Sequence, residues 1–187
     1  MITRLSKMVE KRSRPGGDQA HVLYSEIARA ARKPEFYLQY DISDTFDGRF
    51  DTLTLIVVLV VRRLKKAGRQ GDELAQEVID MMFADMDLSL HEIGVSENKV
   101  GKKVKTIATA FIGRMKAYST ALDNDDDIEL AAALSRNLYR ENGVDPANNG
   151  LVAAIRAQVK RLDALADDEL LKSSPSFDFK PHDQRDR

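Results

Sequence analysis

Several stretches carry residue types that bind metals or move protons, and each lacks the residue that would complete the chemistry. Asp85, Asp87 and Ser89 have the spacing of a calcium loop, and so do Asp123, Asp125 and Asp127. Such a loop needs glycine at its sixth position for the sharp turn and a bidentate glutamate at its twelfth. Leu90 and Ile128 stand at the first of these places, Ser96 and Leu134 at the second. His91-Glu92 opens like a zinc-protease helix, but Val95 occupies the position of the second histidine one turn on. The other histidines, His21 and His182, have no ligand spacing. Ser96 to Lys103 imitates the end of a phosphate loop, with Ser96 in place of the first glycine and Lys103 in place of the hydroxyl residue that reaches magnesium. No metal, cofactor or small-molecule substrate is expected, and an enzyme built on Asp85, Asp87 and His91 is a distant third reading.

Binding chemistry remains. Asp44-Thr-Phe-Asp-Gly-Arg-Phe-Asp51 mixes acids, two aromatics, an arginine and a glycine, too ordered a mixture for a solvated linker. Arg49 can form a forked pair with Asp44, Asp47 or Asp51 and lock the turn into the helix that follows. Arg114, directly after Gly113, can reach an acid on a neighbour such as Asp85 or Asp87. Met82 and Met86 fall on a buried stripe, whereas Met81, Phe46 and Phe50 are expected to line a partly exposed apolar groove that takes a membrane segment or a partner helix. Two basic clusters, Arg62, Arg63, Lys65, Lys66 and Arg69 in one and Lys99, Lys102, Lys103 and Lys105 in the other, form a candidate docking face. No aromatic is interleaved with these lysines, so base stacking is not indicated.

The elements that position these residues read as helices. Met1 to Arg14 has apolar residues at helical spacing among basic ones and is expected to be a basic helix, broken by Pro15-Gly16-Gly17. Asp18 then caps a helix through Arg32. Thr52 to Val61 is crowded with β-branched residues, which favour strands. No second strand-like run exists to pair with it, and a lone strand leaves its backbone groups orphaned. A buried central helix from about Phe46 to Ala67 is the better reading, ended by Gly68 to Gly71. Asp72 caps the next helix, where Leu74, Val78, Met82, Met86 and Leu90 recur at threes and fours. In its successor Val100, Val104, Ile107, Phe111, Met115, Tyr118 and Leu122 make one narrow stripe, with Lys99, Lys102, Lys105 and Lys116 opposite. Asn142-Gly143 closes a further helix and Asp145-Pro146 opens the last. Lys172 to Arg187 is rich in Ser, Pro, Asp and Lys and is expected to be a disordered tail.

At 187 residues, with 43% hydrophobic and 32% charged residues, the chain suits one soluble domain. Its net charge of −1 gives no global field that draws in nucleic acid or an anionic membrane, so any basic surface is local. Cysteine is absent, which removes disulfides and thiolate chemistry and makes a reducing cytoplasm the default. Leu53 to Val61 is far too short to span a bilayer, which takes about 20 residues. The fold expected is all-α, a single-domain bundle of about seven or eight helices. Residues 1–17 form the basic N-terminal helix and breaker, 18–171 the helical domain and 172–187 the tail.

Asp44 to Asp51, Met82-Phe-Ala-Asp-Met-Asp87, Val100-Gly-Lys-Lys-Val-Lys105 and Phe111-Ile-Gly-Arg114 with Tyr118 resemble, in this order and at similar spacing, segments of the ubiquinol-cytochrome c chaperone family. The resemblance covers about Tyr37 to Tyr139. It implies an all-helical assembly factor that helps newly made cytochrome b into respiratory complex III, and its mitochondrial members work at the ribosome with no known enzyme activity. On this resemblance the client is a membrane protein, cytochrome b, with Phe46, Arg49, Phe50, Met81, Asp85 and Arg114 as candidate contacts. Arg62, Arg63, Lys99, Lys102, Lys103 and Lys105 are the candidate docking face. A ribosome, a small helical partner and peripheral contact with the inner membrane are further expected partners. The alternative is a helical adaptor that binds ribosome or RNA through its basic faces.

Overall fold

The computed structural model describes residues 15–140, 143–148 and 150–180. The helices are α1 (Pro15–Ala31), α2 (Glu35–Leu38), α3 (Phe46–Leu64), α4 (Gly68–Glu92), α5 (Glu97–Asp123), α6 (Asp127–Asn137), α7 (Leu151–Asp163) and α8 (Asp167–Lys172). A 3₁₀ turn, Lys65–Ala67, joins α3 to α4. No strand occurs among the described residues. Among the described residues the helices that build the bundle number six, not seven or eight. α2 has only four residues and α8 only six, while the other six helices run from 11 to 27. The basic helix expected over Met1 to Arg14 lies outside the described residues.

Local chemistry sets the ends of the elements, and it corrects several expected boundaries. Pro15 does not break a helix but opens α1, because its fixed φ suits a first helical position, where no N–H is needed. Asp18 then lies in the first turn rather than at the cap. α3 is capped by Thr45, in extended backbone, whose Oγ1 accepts the Gly48 N–H at 3.1 Å. The β-branched run is helical as argued, and Leu55 to Val61 are each at most 1% exposed. Gly68 to Gly71 is not a loop. Gly68 alone reverses the chain, at φ +69° and ψ −156°, a region essentially closed to residues with a Cβ. α4 therefore starts there, without a cap from Asp72. Asp126 caps α6 by accepting the Glu129 N–H at 2.8 Å. Asp145 does not open α7; it holds a separate turn by accepting the Ala147 N–H at 3.0 Å, and α7 begins only after Gly150.

The reversal at Gly68 brings the first turn of α4 against the last turn of α3. A Cβ on Gly71 would lie 2.0 Å from the carbonyl oxygen of Leu64. Gly71→Ala should therefore push the two helices apart at a cost of about 1–3 kcal/mol, seen as a lower thermal midpoint. An unchanged midpoint would show that the hairpin relaxes freely.

Two apolar clusters result. In the main one α3 packs on α1, α4, α5, α7 and α8. The second is small: Phe50, Met86, Leu90 and Val100, with half-buried Val95, Val104 and Ile107 against it. It fastens the start of α5 to the end of α4. Of the 27 residues of α5 only Val100, Phe111, Tyr118, Ala121 and Leu122 are buried.

The chain after α8 departs from expectation. Lys172 ends a helix, and residues 173–180 run as an extended strap across the bundle. Phe177 and Phe179 are 6% and 1% exposed, and Phe179 stacks at a tilt on Phe36 with centroids 4.9 Å apart. Side chains of the bundle hold the strap's carbonyls: Tyr40 Oη donates to Phe179 at 2.6 Å, Gln158 to Ser176 at 3.0 Å and Gln19 to Ser173 at 3.0 Å. A disordered tail over all of 172–187 is thus corrected for 172–180, because two phenylalanines two residues apart anchor an otherwise polar segment. Residues 181–187 lie outside the described residues.

Candidate functional site

The acidic and aromatic octapeptide becomes the first turns of α3 and the residues just before it. Its outer members are Asp44, Phe46, Asp47 and Arg49; its inner members are Gly48, Phe50 and Asp51. Arg49 makes the forked pair, and Asp44 is the acid that receives it, at 2.6 and 3.2 Å. The guanidinium lies 5.9 Å from the centre of the Tyr37 ring. This pair is exposed and adds little to stability. Gly48 is required by space, since a Cβ there would lie 2.0 Å from the Ser43 carbonyl oxygen.

Asp51 is the unusual group. Its side chain is 3% exposed and meets Arg114 of α5 at 2.8 Å and Arg140, beyond α6, at 2.9 Å. Arg140 also lies 3.5 Å from Asp47, and it reaches both acids from a left-handed backbone, φ +52°, that a residue with a side chain seldom adopts. Burial pushes the Asp51 carboxyl up to about 6, opposed first by Arg114 and then by Arg140. Tyr118, one turn beyond Arg114, is buried at 1% exposure, and burial raises its phenol as well. Each carboxylate oxygen of Asp51 already faces a guanidinium, so the arrangement ties α3, α5 and the segment after α6 together. Arg114 does not pair with Asp85 or Asp87. Asp85 instead accepts from the Tyr24 hydroxyl at 2.6 Å, joining α4 to α1, and Asp87 lies 3.7 Å from His91. Position 114 faces α3 across the buried stripe of α5, a register that the sequence of α5 alone does not disclose.

The other sequence candidates separate. Phe50 is buried in the second cluster, while Met81 is half-buried against the main one, so the two do not share a cluster. Phe46 is the exposed aromatic of the octapeptide, at 37%. Among the described residues no group of three His, Cys, Asp or Glu side chains is placed to hold a metal ion.

Two of the six residues of the expected docking face, Arg62 and Arg63, are engaged inside the protein. Arg62 donates to Asp123 at 2.7 Å and Asp163 at 3.3 Å, and Arg63, 5% exposed, donates to the Leu162 carbonyl at 3.0 Å and Asp167 at 2.8 Å. Arg63 thus serves the carbonyl end of α7, where a cation is favoured. Both are corrected from docking residues to internal ties, Arg62 from α3 to the ends of α5 and α7 and Arg63 from α3 to the α7–α8 corner. Lys99, Lys102, Lys103 and Lys105 are exposed and form no ion pair among the described residues. Residues that sequence reasoning missed are Arg140 and the partnership of Asp51 with Arg114 and Arg140. The only signal for them was that the resembling segments include Asp51, Gly113-Arg114 and Tyr118.

Comparison with known proteins places this geometry. The family described as Ubiquinol-cytochrome C chaperone matches residues 38–177. The chain is similar to "Ubiquinol-cytochrome c reductase complex assembly factor 1" of Mus musculus and of Homo sapiens, 26% identical over 172 residues in each case. Those alignments cover 86% of this chain but 58% and 57% of the two relatives, so the chain spans less than two thirds of their length. It is also similar to a solved structure, "Crystal structure of the Cbp3 homolog from Brucella abortus", 34% identical with a TM-score of 0.78, covering 96% of this chain and 98% of that one. The matched span takes in Asp51, Arg114 and Arg140 and most of the strap, and with it the chain belongs to the ubiquinol-cytochrome C chaperone family.

Proposed function

We propose that this protein is a non-enzymatic chaperone in the assembly of ubiquinol-cytochrome c reductase, and that its client is newly made cytochrome b. The observation that carries the reading is the family match across residues 38–177, whose most unusual residues serve to fix helices in place rather than to bind a small molecule. On this reading the Asp51 cluster and Phe50 support the surface from behind, and Phe46, exposed at the start of α3, is the residue of the octapeptide that touches the client. No helix among the described residues is long and apolar enough to cross a membrane.

Deleting the gene should lower cytochrome b and the assembled reductase. A photo-crosslinking residue in place of Phe46 should capture newly made cytochrome b. Normal reductase in the deletion strain would sink the reading, whereas reduced reductase without a crosslink would move the contact away from Phe46. The alternative, an adaptor for ribosome or RNA, loses Arg62 and Arg63 to internal partners and keeps the lysines of α5 with Lys65, Lys66 and Arg69.

A further inference from the structure

The outer face of α5 carries lysines of the expected docking face, and its other features narrow what they can meet. Between Asn98 and Leu122 there is no acidic residue, while Lys99, Lys102, Lys105 and Lys116 fall on one side. At 100° per residue they lie within about 75° of a line opposite the buried stripe of Val100, Phe111 and Tyr118. All four are exposed and form no ion pair among the described residues, and they extend over about 25 Å at 1.5 Å per residue. The one arginine in this stretch, Arg114, is committed to Asp51.

The polar residues between the lysines are not available as donors. Thr106 and Thr109 turn their hydroxyls back onto the Lys102 and Lys105 carbonyls, at 3.1 and 3.0 Å. Both threonines are exposed, as are Gly113 and Ile112, the last at 61%. The face therefore offers flexible point charges over a smooth, weakly apolar helix, without the arginine forks or aromatic platforms that grip nucleic acid.

We propose that this face of α5 docks on the surface of an anionic lipid bilayer, with the lysines at the headgroup phosphates and Ile112 toward the acyl boundary. Charge complementarity carries the assignment: the protein as a whole is at −1, so attraction to an anionic surface must come from a local, acid-free stripe. The inference does not depend on which client is held.

The test is flotation of the full chain with vesicles of phosphatidylcholine alone, or with about a third phosphatidylglycerol, at low and at high salt. Binding is expected only to the anionic vesicles and only at low salt. The triple variant Lys99→Glu, Lys102→Glu, Lys105→Glu should reduce it about a hundredfold, at roughly fivefold or more per lysine. Lys160→Glu with Lys180→Glu, outside both basic clusters, should leave it unchanged. Both variants should melt like the parent, since all the altered side chains are exposed. No binding to anionic vesicles at low salt would overturn the proposal. So would equal binding by the triple variant, or displacement of the vesicles by a single-stranded RNA at lower concentration, which would assign the stripe to nucleic acid.

Discussion

Replacing Arg114 by methionine is expected to destabilise the protein by about 3–5 kcal/mol at neutral pH, because it leaves the Asp51 carboxylate buried with only the half-exposed Arg140 beside it. The loss should depend on pH in a definite sense. The Asp51 carboxyl is already raised to about 6, above its ordinary range near 4. Between those two values the folded state binds more protons than the unfolded state, so stability rises as pH falls through that window. Arg114 is the larger of the two influences that lower this carboxyl, and its removal raises the group further. The variant therefore gains more than the parent as pH falls, and the gap between them should narrow from pH 7.5 to pH 5. Denaturant titrations at the two pH values measure this. Adding Asp51→Asn to the variant should recover part of the loss at pH 7.5 and remove the extra pH dependence. A gap independent of pH would mean that Arg114 matters only through the packing of its stem.

Phe179→Ala should cost a similar amount, about 3–5 kcal/mol. The ring is among the largest fully buried side chains, it packs on Phe36, and its own carbonyl receives the Tyr40 hydroxyl, so truncation opens a hole beneath the strap. The midpoint of denaturant unfolding should fall accordingly, and Phe177→Ala, at a more exposed position, should lower it less. A loss under about 1 kcal/mol would show that the strap lies on the bundle without holding it.

What the sequence discloses here follows from the range of each interaction. The stripe of α5 and the helical state of Leu55 to Val61 are set within a few turns, by periodicity and by the lack of a partner strand, and both can be read. Arg114 with Asp51 cannot, because the pair depends on the register of two helices far apart in the chain, and periodicity gives a face but not an axial offset. Arg62 and Arg63 fail for another reason. A basic helix end looks alike whether it meets water or the carbonyl end of α7. The strap was hidden by its composition, since Ser, Pro, Asp and Lys around two phenylalanines lower the average on which disorder is judged, although two side chains suffice to anchor it. Among the candidate contacts, residue type pointed to the octapeptide but did not say which side chains face out, and of its aromatics Phe46 does while Phe50 does not.

The second cluster sets a tempo for the molecule. Four buried side chains, Phe50, Met86, Leu90 and Val100, fasten the junction of α4 and α5, against dozens in the main cluster. Opening this junction exposes far less apolar surface than global unfolding does, so its amides reach solvent through brief partial excursions while α3 stays closed. Three of the four members lie beside the turn where α4 gives way to α5, and the fourth is the inner aromatic of the octapeptide. Each excursion therefore loosens one side of the Phe46 surface and leaves the Asp51 cluster shut, giving the protein one end that breathes on a short clock and a body that keeps time on a much longer one.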